Sequence, residues 1–238
     1  MNIIEALACI SALLIICGIG IANPVVSDSW HYIKTDESLM EALKNSSSNI
    51  LCLEDGIHYG PLILINLNNI TIKPFSDGAT IECMGADVGI HIIGGSNITI
   101  QGISLNNSKN GIKIEGGRDC VIKDNYINFN NGAGITLDGT YSSKILKNVI
   151  KNDNIGNLFS NGLEAYFSMG NLISENSFIL QANSTLILLF NSLNNMISLS
   201  QCGIIIDNSN KCECVMGCYK CERDSSLNNS WNLKPNFC

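Results

Sequence analysis

Gly111-Ile112-Lys113-Ile114-Glu115-Gly116 is the stretch that decides the fold, because the chain repeats it. One copy earlier stands Gly89-Ile90-His91-Ile92-Ile93-Gly94, and one copy later Gly134-Ile135-Thr136-Leu137-Asp138-Gly139. Apolar residues alternating between glycines are the pattern of a short strand with one buried face, closed at each end where the chain must turn. The frame continues more weakly at Gly162-Leu163-Glu164-Ala165-Tyr166, Thr185-Leu186-Ile187-Leu188-Leu189 and Gly203-Ile204-Ile205-Ile206-Asp207. Successive copies start 22, 23, 28, 23 and 18 residues apart. A second strand motif lies between them: Asn69-Ile70-Thr71-Ile72 returns as Asn97-Ile98-Thr99-Ile100 and, more loosely, as Asp119-Cys120-Val121-Ile122.

A propeller blade needs about 40 residues, and a leucine-rich repeat shows a leucine ladder that is absent here. A coil of this length with two or three short strands fits a β-solenoid. One coil cannot bury its apolar side chains alone, but coils stacked about 4.8 Å apart make a continuous core. The expected fold class is therefore all-β, a right-handed parallel β-helix over residues 23–210. The exposed first coil needs a lid, and Asp36-Glu37-Ser38-Leu39-Met40-Glu41-Ala42-Leu43-Lys44 supplies a capping helix near 36–45. Ser38 and Glu41 have capping-box spacing, and Leu39, Ala42 and Leu43 share one face.

Composition agrees. Of 238 residues, 45% are hydrophobic but only 6% aromatic and 15% charged, so Ile, Leu and Val carry the core while Asn, Ser and Gly carry the turns. The net charge of −7 comes without any Lys/Arg run, which excludes a nucleic-acid partner. Residues 1–22 are apolar apart from Glu5 and small polar residues, and end Gly20-Ile21-Ala22. They read as a signal peptide, or as an N-terminal membrane anchor if uncleaved. Both outcomes make the rest of the chain secreted or cell-surface.

The capping helix followed by Ile50-Leu51-Cys52-Leu53-Glu54-Asp55-Gly56-Ile57-His58-Tyr59-Gly60 resembles the opening of pectin-lyase-like right-handed β-helix proteins. In that superfamily a capping helix leads to a strand, a Gly-x-Tyr-type turn and the first coils. The later repeats resemble carbohydrate-binding and sugar-hydrolase β-helix repeats, including those of the copper-maturation protein NosD. The resemblance covers about residues 35–210. It implies the fold and not a chemistry, since the superfamily holds lyases, hydrolases, epimerases, adhesins and inert surface proteins.

Alternation places two side-chain columns on the outer face of the glycine-bounded strands. One reads His91, Lys113, Thr136, Glu164, Ile187, Ile205, and its neighbour Ile93, Glu115, Asp138, Tyr166, Leu189, Asp207. Lys113, Glu115, Asp138, Glu164 and Tyr166 then form one patch, the best catalytic candidate in the sequence. Carboxylates on adjacent coils can share a proton, bind calcium or act as acid and base on a glycan, and Lys113 or Tyr166 can serve an eliminase. A solvated β-face of mixed charge explains the same residues without catalysis. The polygalacturonase motifs Asn-Thr-Asp, Asp-Asp, Gly-His-Gly and Arg-Ile-Lys are absent. Pectate lyases pair an acidic calcium site with an essential Arg, whereas Arg118 here sits in a Gly116-Gly117-Arg118-Asp119 turn. His31, His58 and His91 are isolated and read as surface residues, giving no support for copper. No cofactor is expected, with calcium only if the patch is catalytic.

Eleven cysteines include Cys9 and Cys17 in the N-terminal segment, Cys52 and Cys83 in early strands, and Cys120 aligned with inward Ile98. Cys212-x-Cys214-x3-Cys218-x2-Cys221, with Cys202 upstream and Cys238 at the end, forms a Cys-rich cap over 211–238. Outside the cell, disulfides among these six are expected; in a reducing compartment Cys212, Cys214, Cys218 and Cys221 suit zinc. The leading expectation is a non-catalytic extracellular scaffold that binds a polysaccharide or another cell-envelope component. The alternatives are a lyase, epimerase or hydrolase of an acidic glycan, and a NosD-like metal-delivery protein.

Overall fold

The computed structural model describes residues 30–129, 131–152, 160–181 and 184–198 in full, and 203–210, 213–215 and 219–222 as backbone strands. It is a parallel β-solenoid of about seven turns, with three sheets running its length. A typical turn is Val121–Lys123 in sheet A, Tyr126–Phe129 in sheet B, Ala133–Asp138 in sheet C, and Lys144–Leu146 back in sheet A. Sheet A has nine strands, sheet C eight and sheet B six. Strands Glu213–Val215 and Tyr219–Glu222 carry sheets A and C one rung beyond residue 210.

The repeat read from the sequence is the rung of this stack. Leu51, Ile72, Ile100, Ile122, Ile145, Ile173 and Ile197 lie in one inward column of sheet A, each beside its homologue on the next strand. Sheet C contributes two inward columns, one of them Leu64, Ile92, Ile114, Leu137, Ala165 and Leu189. All of these are buried. β-branched side chains suit the pleat, and each buried Ile contributes about 1.5–3 kcal/mol through removal from water. Cys83 and Cys120 are buried free thiols of the same core, and Cys52 is a buried free thiol between inward Leu51 and Leu53.

The lid is a helix over Leu39–Asn45, with Ser38 as N-cap accepting from the Glu41 amide at 3.4 Å and with Leu39 and Ala42 buried. Asp36–Ser38 stay outside it. Gly56–Tyr59 departs from expectation: it is the first strand of sheet B rather than a turn. There Ile57 and Tyr59 point out and His58 is fully buried, its Nε2 2.9 Å from the Glu54 carbonyl. His58 is therefore a core residue, not a surface one.

Buried polar ladders hold two of the corners. Between sheets A and B, Asp124, Lys147 and Glu175 take left-handed φ of 56°, 54° and 56°. Each precedes a buried asparagine, and Asn125, Asn148 and Asn176 stack with Oδ1 accepting from the side-chain amide one rung below at 2.9–3.0 Å. Between sheets C and A, Ser143, Asn171 and Asn195 form a second such ladder. Among the described residues no helix is long and apolar enough to cross a membrane. The N-terminal segment 1–22 and the side chains of Cys202, Cys212, Cys214, Cys218, Cys221 and Cys238 lie outside the described residues.

Candidate functional site

The outer face of sheet C brings the five expected residues together. Lys113 is the partner of His91 and Thr136 across the strands, Glu115 of Asp138, Thr136 of Glu164, and Asp138 of Tyr166. The register then departs from the sequence reading, because Glu164 pairs with Leu188 and Tyr166 with Phe190. Ile187 and Leu189 are buried, so Leu188 and Phe190 are the residues that continue the two outer columns.

These side chains bind one another. The Lys113 ammonium lies 2.9 Å from Glu115 and 4.0 Å from Asp138, and His91 Nε2 lies 3.2 Å from the same Glu115 oxygen. Hydrogen bonds from Lys113 and His91 hold the Glu115 carboxyl below its usual range. Asn161 donates to Glu164 at 2.6 Å. Burial pushes the Tyr166 phenol up to about 12, with the Glu164 and Asp138 carboxylates adding to the effect. Tyr166 is thus a neutral hydrogen-bond donor at physiological pH, and cannot act there as a ready-made phenolate base. A folded-state pKa above the unfolded value gives stability that is complete below the unfolded pKa near 10 and lost as pH rises through about 12. In a spectrophotometric tyrosine titration, Tyr166→Phe is expected to remove a late-ionising step; an unchanged curve would place that step elsewhere.

Two features of the neighbouring corner were missed in the sequence reading. Sheet C turns into sheet A through an exposed column of bridged residues, Asn68, Ser96, Arg118, Tyr141, Met169 and Leu193. Beside the first four is a groove of about 470 Å³, lined by Asn66, Asn68, Gly95, Gly116, Arg118 and Tyr141. The second feature is a group of rings, exposed Phe167 and Phe190 edge-to-face at 6.2 Å with half-buried Tyr166 at 6.3 Å from Phe190. The signal for both was the repeat itself, which stacks equivalent turn residues as surely as equivalent strand residues.

Among the described residues no three or more His, Cys, Asp or Glu side chains are grouped as a metal ion requires. His58 is enclosed in the core, and His91 is engaged by Glu115.

Comparison with known proteins places this architecture. The family described as periplasmic copper-binding protein (NosD) matches residues 42–232. No curated protein matches the sequence significantly. Among solved structures, an alginate lyase from Paenibacillus sp. is 13% identical over 84% of this chain and 97% of its own, with a TM-score of 0.46. The Dettilon tailspike protein is 12% identical over 83% of this chain and 48% of its own, with a TM-score of 0.42. The A-module of the Azotobacter vinelandii mannuronan C-5 epimerase is 13% identical over 69% of this chain and 61% of its own, with a TM-score of 0.41. The family match spans most of the sequence and the same stacked repeats that build the three sheets, and the chain belongs to the NosD family.

Proposed function

We propose that this protein is a non-catalytic scaffold of the cell envelope or extracellular space that binds polysaccharide along the corner between sheets C and A. The observation that carries the reading is Phe167. In the preceding rungs the equivalent left-handed position is filled by Gly94, Gly116 and Gly139, at φ of 65°, 67° and 57°. Phe167 takes φ 49° there, and its side chain is 58% exposed. A bulky residue in this conformation is strained by roughly 1–2 kcal/mol, and an exposed ring recovers little of that through burial. Strain retained at an exposed aromatic residue supports a role in recognition. Phe167, Phe190 and Tyr166 offer apolar ring surface to the C–H face of a sugar, with a protonated phenol to bond its hydroxyls.

The acid–base candidates point away from catalysis, since Lys113, Glu115 and Asp138 are already engaged with one another. The periplasmic description of the family supports a site of action outside the cytoplasm. The test is a screen of the purified protein against uronate-rich and neutral polysaccharides, with and without calcium, scoring both retention and bond cleavage. Retention without cleavage is expected. Phe167→Gly should stabilise the fold by about 1 kcal/mol, through relief of the left-handed strain, yet weaken retention about tenfold. Cleavage or epimerisation abolished by Asp138→Ala would replace this reading with a lyase, epimerase or hydrolase. Retention unchanged in Phe167→Gly would remove the aromatic corner from the binding surface. The family's description as copper-binding supports copper binding as a second reading, and stoichiometric copper binding by the purified protein would establish it.

A further inference from the structure

We infer that the groove beside Arg118 selects an acidic sugar, taking the carboxylate of a hexuronate residue in the bound polysaccharide. This rests on the glycan-binding reading and adds to it the substrate class and the selecting residue. Arg118 is exposed, and among the described residues no carboxylate lies within 4.0 Å of its guanidinium. Glu115, three residues before Arg118, is occupied by Lys113 and His91 and does not neutralise the arginine. A planar guanidinium without a partner, in a groove, is suited to bidentate pairing with a carboxylate.

The rest of the groove fits the remainder of a sugar. Tyr141 stands one rung from Arg118 and is 46% exposed, so an amphipathic ring flanks the cation. On the other side lie Ser96 and Asn68, with Ser96 Oγ donating to Asn68 Oδ1 at 2.7 Å. The Asn68 and Asn66 amides offer both donors and acceptors to hydroxyl groups. Gly95 and Gly116 contribute no side chains, and a Cβ on Gly116 would meet nothing within 4 Å, so a ligand can approach the backbone closely.

The column is also preorganised. Arg118 donates its backbone N–H to Gly95 at 3.2 Å and Tyr141 to Gly117 at 3.0 Å, which fixes both residues on the solenoid before any ligand arrives. From Asn68 to Tyr141 is three strand spacings, about 14 Å, enough to hold a short oligosaccharide along the axis. At Met169 the column becomes apolar and meets the rung of Phe167. The corner therefore runs from a cationic selecting end to an aromatic stacking end.

The experiment is calorimetric titration of the full chain with oligogalacturonate and oligomannuronate, each paired with its counterpart whose carboxylates have been reduced to alcohols. The wild type should prefer at least one acidic oligomer over its reduced form by about tenfold, with the preference shrinking as salt is added. R118Q should erase the preference while leaving the weaker, neutral-type binding, and R118K should fall between. Y141A should weaken acidic and reduced oligomers alike. Lys147→Gln, at the exposed corner between sheets A and B, should leave the preference unchanged. Since the Arg118 side chain is exposed, an unchanged urea midpoint is expected to show that R118Q remains folded. A preference that survives in R118Q overturns this assignment and leaves the glycan-binding reading standing. A wild type that binds both members of each pair equally also overturns the assignment alone. A wild type that binds no oligomer and is retained by no polysaccharide overturns both.

Discussion

Replacing Asn148 by alanine is expected to destabilise the protein by about 3–4 kcal/mol, although the residue lies in a short turn. Its side chain is the middle rung of the corner ladder between sheets A and B. Oδ1 accepts from the Asn125 backbone amide at 3.1 Å and from Asn125 Nδ2 at 3.0 Å. Nδ2 donates to the Ile122 carbonyl and to Asn176 Oδ1, both at 2.9 Å. Asn148 is fully buried, so water cannot replace these partners. Removing them leaves the Asn125 amide and the Ile122 carbonyl without this partner in the interior, and a buried group left unsatisfied costs about 1–3 kcal/mol.

The preceding residue provides the contrast. Lys147 is exposed and 3.7 Å from the exposed Glu175, so Lys147→Ala, which breaks that ion pair, should cost no more than about 0.5 kcal/mol. Urea denaturation measures both, with hydrogen exchange on the neighbouring rungs showing whether the loss is local. Equal, small effects in the two variants would mean that the ladder contributes little and that the Ile columns alone hold the corner.

These asparagines show what the sequence reveals and what it hides. The inward columns of sheets A and C could be read directly, because Ile and Leu alternate with polar residues and each glycine-bounded copy repeats the phase. Lys113, Glu115, Asp138, Glu164 and Tyr166 share a face for the same reason, and the structure brings them into one patch. The phase could not be read across Leu186-Ile187-Leu188-Leu189-Phe190, where every residue is apolar and alternation does not choose between registers. Gly56-Ile57-His58-Tyr59 misleads more strongly, since its apolar Ile57 faces out and its polar His58 faces in. Asn125, Asn148 and Asn176 look like ordinary turn residues in a chain rich in Asn and Ser, and only the stacking of one turn on the next makes them interior. Arg118 read as a turn residue too, which it is; the groove beside it is a property of neighbouring rungs and not of any one of them.

Gly134→Ala should destabilise by roughly 3 kcal/mol, the upper part of the range for overpacking a tight interior. Glycines flank three copies of the sheet C strand in the sequence, and turning is a sufficient reason for only one of each pair. At the far end, Gly139 has φ of 57° and a Cβ there would meet nothing within 4 Å. At the near end, Gly134 lies inside the strand Ala133–Asp138, and a Cβ would sit 2.8 Å from the Gly162 carbonyl oxygen, 3.1 Å from Phe129 and on top of an Ile150 methyl. The carbonyl belongs to the next rung and cannot move without breaking the stack. Gly111 and Gly162 face the same obstruction from the rung above, Gly111 from the Gly134 carbonyl and Gly162 from Leu186. Gly139→Ala should therefore cost only the left-handed strain of about 1–2 kcal/mol, and Gly139→Asn less, because asparagine tolerates that conformation. Gly134→Asn should fail to fold or unfold well below the wild-type midpoint. If Gly134→Ala proved milder than Gly139→Ala, backbone freedom rather than close approach would be the reason for both glycines, and the rungs would be packed more loosely at sheet C than these distances require.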